Sequence, residues 1–159
     1  LYDRSEAVQV VVVGNGAYAP DVRAAAQSWS HLTYLADSAY PTTLRLFATA
    51  ALSIVSFLDR PVLDANAPSK FFDSLSAGTP VLLTQDGWTR RFVERHNCGW
   101  YVPPEAPDAL AEAIQTHLAH PDALREAGQR GARAAAEHFD RAAHMDRYAR
   151  LVERVAATA

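Results

Sequence analysis

An α/β domain with a doubly wound parallel sheet is the fold that this 159-residue chain predicts. Two observations carry the prediction. Short apolar, β-branched runs alternate with helical patterns along most of the length, the order that builds strand–helix–strand units. The first run, "AVQVVVVG" (Ala7 to Gly14), is continuous rather than alternating, the mark of a strand covered on both faces.

The elements follow in order. After that strand, "APDVRAAAQSW" reads as a helix with Pro20 suited to a first helical position. "HLTYLA" is a second strand, "TTLRLFATA" a helix opened by Thr42 or Thr43, and "LSIVSFL" (Leu52 to Leu58) a third strand. "SKFFDSLSA" is a short helix that stops at Gly78, and "PVLLT" a fourth strand. "TRRFVERH" is a helix closed by Asn97 and Gly99, followed by a short fifth strand, "GWYVPP". Leu110, Ile114 and Leu118 share one helix face. The alanine-rich "GARAAAEHF" predicts helix, since alanine has the highest helix propensity. A last helix sets Met145, Tyr148, Leu151, Val152 and Val155 at helical spacing.

Composition narrows the function. Apolar residues make up 49% and charged residues 21%, ordinary for a soluble globular domain. A net charge of −3 argues against a nucleic-acid partner, which would want a basic face. The apolar runs are too short for a membrane span, and no signal-peptide pattern opens the chain. One cysteine, Cys98, forms no internal disulfide and fits a reducing compartment, so the expected location is cytoplasmic. Leu1-Tyr2-Asp3 lacks an initiator methionine and runs straight into a strand pattern, which reads as a fragment of a longer protein.

Chemistry concentrates after the third strand. Ligands on such sheets bind beyond the carboxyl ends of the strands, where the helix beginning at Ser69 opens. Its first turn presents unpaired N–H groups and a partial positive charge, suited to a phosphate or diphosphate. Lys70, the one lysine beside fourteen arginines, adds a compact full charge there. Asp73 lies one turn on, shares the face of Lys70 and can accept hydrogen bonds from a ribose. A plain surface ion pair, worth about 0.3–0.5 kcal/mol, is the other reading of the two residues.

The stretch "PSKFFDSLSAGTPVLLTQDG" (Pro68 to Gly87) resembles the signature of the group 1 family of retaining GT-B glycosyltransferases. The match runs through Pro68, Ser69, Lys70, the hydrophobic pair Phe71-Phe72, Asp73 and the turn Gly78-Thr79-Pro80-Val81. Downstream, "FVERHNCGWYVPPEAPDALAEAI" is similar to the family's next segment. Upstream, "VVVVGNG", "LTYLA" and "RLFATAALSIVSF" match its earlier strands and helix in order. The resemblance implies that residues 1–159 are the C-terminal, donor-binding, Rossmann-like domain of a two-domain enzyme. The acceptor half, and this half's own first strand and helix, would lie before Leu1.

The resemblance also implies roles. A hexosyl group would pass, with retained configuration, from a UDP-sugar or GDP-sugar to a glycan or lipid-linked acceptor of surface polysaccharide or lipopolysaccharide. Lys70 would be the catalytic residue, neutralising the leaving diphosphate. Ser69, Lys70, Asp73, Gly16, Gly87, Trp88 and Thr89 would bind the donor nucleotide, with no metal and no further cofactor. The acceptor would be held by the absent half, and the full-length protein can associate peripherally with the inner face of the cell membrane. A second family acid falls at Ala65; Asp64 beside it either contacts the donor sugar through a one-residue shift or the role is absent, and the second option is favoured. Ala36 and Ala50-Ala51 also depart from the family pattern.

Other readings compete. "GNGAYA" (Gly14 to Ala19) fits the dinucleotide fingerprint G-x-G-x-x-A, and Asp37 falls near the expected ribose acid, so an NAD(P)-binding domain of an oxidoreductase is one alternative. Pro20 opposes it by starting the helix after the loop. A nucleotide-sugar epimerase and a non-catalytic nucleotide-binding module are others. His117 and His120 read as a solvated pair rather than a metal site, and Cys98 as a packing residue. Arg90, Arg91 and Arg95 read as a solvated helix face, with Arg90 the member best placed to face a ligand.

Overall fold

A computed structural model describes residues 8–158, so Ala7 of the expected first strand lies outside the described residues. The chain divides into two compact units, one ending at Leu46 and the other starting at Phe47. The first unit holds β1 (Val10–Val13), α1 (Ala19–Ser28) and β2 (Leu32–Leu35), and α2 (Tyr40–Thr49) crosses the boundary. β1 and β2 run parallel, with Val10 opposite Leu32 and Val13 opposite Leu35. Tyr34 ties the strand end by donating its hydroxyl to the Gly14 carbonyl at 3.0 Å. The expectation that the first strand is covered on both faces is corrected: Val10, Val11 and Val13 keep 38%, 47% and 37% exposure. Among the described residues β1 pairs only with β2, and α1 lies against β2, so the valines are left partly uncovered.

The second unit carries β3 (Ser53–Val55), a 3-10 turn (Pro61–Ala65), α3 (Ser69–Ser76), β4 (Val81–Leu83), α4 (Trp88–His96) and β5 (Gly99–Tyr101). α5 (Pro107–Leu118), α6 (Pro121–His138) and α7 (Arg141–Ala156) complete it. Its strands form a parallel sheet in the order β3-β4-β5. The α/β class and the parallel pairing are as the sequence predicts; the ladders group as two sheets, one in each unit. β4 is the central strand of the second sheet, and Val81, Leu82 and Leu83 are wholly buried.

β3 ends at Val55, three residues short of the predicted Leu58. The cause is Thr84, whose hydroxyl accepts from the Phe57 N–H at 2.9 Å and lies 3.1 Å from the Phe57 carbonyl, to which it donates. A side chain thereby takes both groups that a ladder would have used. α4 stops where the sequence said, because Asn97 adopts a left-handed φ of 49°.

The core of this unit centres on Phe71, wholly buried, with Phe72, Trp88, Phe92 and Phe139 at ring-centroid distances of 5.5, 5.5, 5.9 and 6.4 Å. Edge-on rings at this spacing contribute beyond their area burial. α6 packs on α3 through small residues: a Cβ on Gly128 would stand 2.0 Å from the Gly78 carbonyl oxygen. Gly131 likewise faces Leu75 and Cys98. α7 forms as the spacing predicts, with Asp140 capping it by accepting from Ala143 N–H at 2.7 Å. Its apolar stripe is exposed, Met145 at 56% and Tyr148 at 63%.

Candidate functional site

Polar and charged groups converge at the carboxyl ends of β3 and β4, where two helices begin. α3 opens at Ser69 after Pro68, a residue without a side-chain acceptor, so no side chain caps the first turn. Those N–H groups and the positive end of the helix face outward with exposed Ser69. Lys70 is half-buried, its ammonium 5.1 Å from the centre of the Phe57 ring. Burial pulls its pKa below the ordinary lysine value. The favourable face of an aromatic ring offsets part of the loss of water, and an anion would supply the rest.

Asp73 sits one turn along α3, half-buried, as the spacing predicts. Behind it Ser74 anchors the helix to the sheet. Its hydroxyl donates to the Lys70 carbonyl at 2.6 Å and pairs with the Ser53 hydroxyl at 2.7 Å. α3 is therefore fastened to β3 at the same turn that carries Lys70 and Asp73.

The loop from β4 to α4 forms the other wall. Gly87 has a φ of 88°, open to glycine and strained for other residues, and a Cβ there would meet the Asp64 carbonyl oxygen at 2.2 Å. Its N–H donates to the Asp86 carboxylate at 2.7 Å. Trp88 donates its indole N–H to the Asn66 carbonyl at 2.9 Å and stacks on Phe72 at 5.9 Å. Thr89 is fully buried, and its hydroxyl has no hydrogen-bond partner among the described residues. Asp64 is exposed on the 3-10 turn, which lies against Gly87.

Ser69, Lys70, Asp73, Gly87, Trp88, Thr89 and Asp64 all belong to the second unit. Gly16 belongs to the first, exposed in the loop before α1, where its carbonyl accepts from Ala19 N–H at 3.0 Å. α1 starts at Ala19, past the "GNGAY" loop, with Pro20 in its first turn. Arg90 is turned to its own surroundings: it pairs with Glu94 at 2.8 Å and Asp86 at 3.3 Å and covers the Tyr101 ring at 3.9 Å. Its hydrogen bond to Glu94 raises its pKa further. His117 stacks on Trp100 at 3.8 Å, and burial lowers its pKa. No group of three metal-ligating side chains occurs among the described residues. Cys98 is buried, its thiol pushed up to about 11 by that burial.

Sequence reading assigned no role to the side chains of three residues that shape the site. Phe57 supports Lys70, and Thr84 and Gln85 hold the loop between β3 and α3. Their signal was available: two polar residues closing an apolar strand that is otherwise fully buried.

The model of the family Glycosyl transferases group 1 matches residues 1–120. No curated protein matches at a significant level. Among solved structures, sucrose-phosphate synthase from Thermosynechococcus elongatus superposes with a TM-score of 0.81 at 23% identity, over 95% of this chain and 39% of that one. Anabaena HepE in complex with UDP-glucose gives 0.75 at 17% identity, over 92% and 41%. WaaG, a glycosyltransferase involved in lipopolysaccharide biosynthesis, gives 0.64 at 18% identity, over 80% and 34%. The chain thus spans about two fifths of the length of the first structures it matches. These likenesses carry the fold, that of part of a GT-B glycosyltransferase.

Proposed function

The chain belongs to the group 1 glycosyl transferases, and from that premise we propose that it is the donor-binding half of an enzyme that transfers a hexosyl group from a nucleotide-diphosphate sugar. The observation that carries the reading is the start of α3, an uncapped helix end with Lys70 in its first turn and Asp73 one turn on. The diphosphate lies against the N–H groups of Ser69 and Lys70, with the ammonium beside it. Asp73 accepts hydrogen bonds from the ribose hydroxyls. As the bond to the anomeric carbon breaks, negative charge grows on the departing diphosphate, and oriented N–H groups with an adjacent ammonium stabilise it without a metal. Backbone amides of Trp88 and Thr89, at the start of α4, complete the anion site from the second wall.

HepE, of the same fold, is solved with UDP-glucose, which supports a uridine donor here. Transfer proceeds with retention, to a glycan or lipid-linked acceptor held by the other half, at the cytoplasmic face of a membrane. No described helix is long and apolar enough to cross a membrane; the association proposed for the full-length protein is peripheral.

Calorimetric titration of the chain with UDP, GDP and NAD tests the reading. UDP or GDP binds in preference to NAD; a clear preference for NAD overturns it.

A further inference from the structure

We propose that Thr84 and Gln85 are positioning residues for the nucleotide site, a two-residue staple that holds both ends of the strap joining β3 to α3. The proposal rests on the donor-binding reading above. The strap runs from Ser56 to Ala67 and contains one short turn, Pro61–Ala65. Such a segment leaves many backbone groups without a regular ladder, and those near the protein interior need other partners. Side chains from the end of β4 supply them.

Thr84 and Gln85 are consecutive and nearly sealed, at 6% and 2% exposure. Thr84 continues the ladder with its own N–H, given to Val55 O at 3.2 Å, while its hydroxyl closes a ring with the N–H and carbonyl of Phe57. Gln85 reaches the far end: its Nε2 donates to the Leu63 carbonyl, and to that of Asn66 at 3.3 Å. Trp88 adds a second bond to Asn66, and Gly87 leaves room for the Asp64 carbonyl. The Gln85 Oε1 has no hydrogen-bond partner among the described residues. A buried amide with one end unmatched is costly, so the useful end is the NH2 that grips the strap.

Each grip has its own consequence for the site. The near one fixes Phe57, whose ring lies under the Lys70 ammonium. The far one fixes the chain two residues before Pro68, where α3 begins. Thr84 therefore sets the pose of the cation, and Gln85 sets where the helix N–H groups point.

Valine fills the volume of Thr84 without the hydroxyl, whereas serine keeps the hydroxyl. Thr84→Val, Thr84→Ser and Gln85→Leu are compared with the parent chain by amide hydrogen exchange over the strap and by titration with UDP and GDP. In Thr84→Val the Phe57 amide exchanges roughly fivefold faster, the scale of one lost hydrogen bond. The dissociation constant for the bound nucleotide rises roughly five- to tenfold by the same reckoning. Thr84→Ser restores both, and Gln85→Leu accelerates exchange over residues 61–67 with a like loss of affinity. Should Thr84→Val fail to fold, Gln85→Leu and Thr84→Ser carry the test between them. Parental exchange and affinity in both Thr84→Val and Gln85→Leu overturn the staple, as does a Thr84→Ser that behaves like Thr84→Val. A parent chain that binds neither nucleotide refutes the donor-binding reading instead, and the staple is then judged on the exchange pattern, where unchanged rates overturn it.

Discussion

Replacing Gly128 by Ala sets two effects of opposite sign against each other. Gly128 is inside α6, where alanine is favoured over glycine by about 0.8–1 kcal/mol, because the glycine backbone loses more freedom on folding. The new Cβ, however, would stand 2.0 Å from the Gly78 carbonyl oxygen, 3.0 Å from its carbon and 3.2 Å from Pro80 Cδ. These are backbone and ring atoms of the turn between α3 and β4, and none can swing aside as a side-chain tip can. Relieving the contact to roughly 3.5 Å means withdrawing α6 by more than ~1 Å. That withdrawal loosens Leu124 and Ala127, both buried on the same helix. Overpacking costs about 1–3 kcal/mol, and a wedge against backbone belongs in the upper part of that range. The balance is a loss of about 1–2 kcal/mol. Gly131→Ala is the control, because there the nearest atom is the Leu75 Cδ2 tip at 2.9 Å, which can turn away. It stays within about 0.5 kcal/mol of the parent. Urea unfolding of the three proteins at a common m-value reads the difference. A Gly128→Ala protein as stable as its parent would refute the idea that α6 seats on that turn by backbone contact.

Two further outcomes are expected. Because burial lowers the Lys70 pKa, its ammonium is lost as pH rises, beginning below the ordinary 10.5. Nucleotide affinity in the parent should thus fall on the alkaline side relative to Lys70→Ala, which binds more weakly near neutrality by about 1.5–3 kcal/mol; equal affinities at neutral pH would make the lysine a surface charge. Ending the chain after Asp140 removes α7, whose described residues are all exposed, and should shift unfolding free energy by no more than about 0.5 kcal/mol. A larger loss in thermal or urea melts would mean that the helix shares in the core.

Several helix stops and the succession of strands along the chain were legible because they depend on local chemistry. α2, by contrast, opens at Tyr40, ahead of the expected Thr42 or Thr43, with both of their N–H groups on the Ala39 carbonyl. Pro20, Gly78 and Asn97 punctuate the chain where their backbone preferences require it. That Lys70 and Asp73 lie one turn apart on α3 followed from helical spacing alone. What escaped the sequence depends on contacts between distant residues. Continuous valines announce a strand and do not say what covers it, so the exposure of Val11 was unreadable. The early end of β3 is imposed by a threonine 27 residues further on. Trp88 read as a donor-binding residue, and only the fold reveals its rings between Phe71 and Phe139 and its N–H on Asn66. Phe57 under Lys70 is another such meeting, since the strap between them can take many shapes until Thr84 and Gln85 hold it.

The two sulfurs of the chain stand in opposite circumstances. Cys98, wrapped by Leu75, Val93 and Gly131, is protonated at neutral pH and out of reach of peroxide or alkylating reagents. Met145 offers its thioether to solvent on α7. Oxidative wear therefore falls on the outermost helix, turning one greasy side chain polar, while the interior around Phe71 passes through the same exposure chemically unmarked.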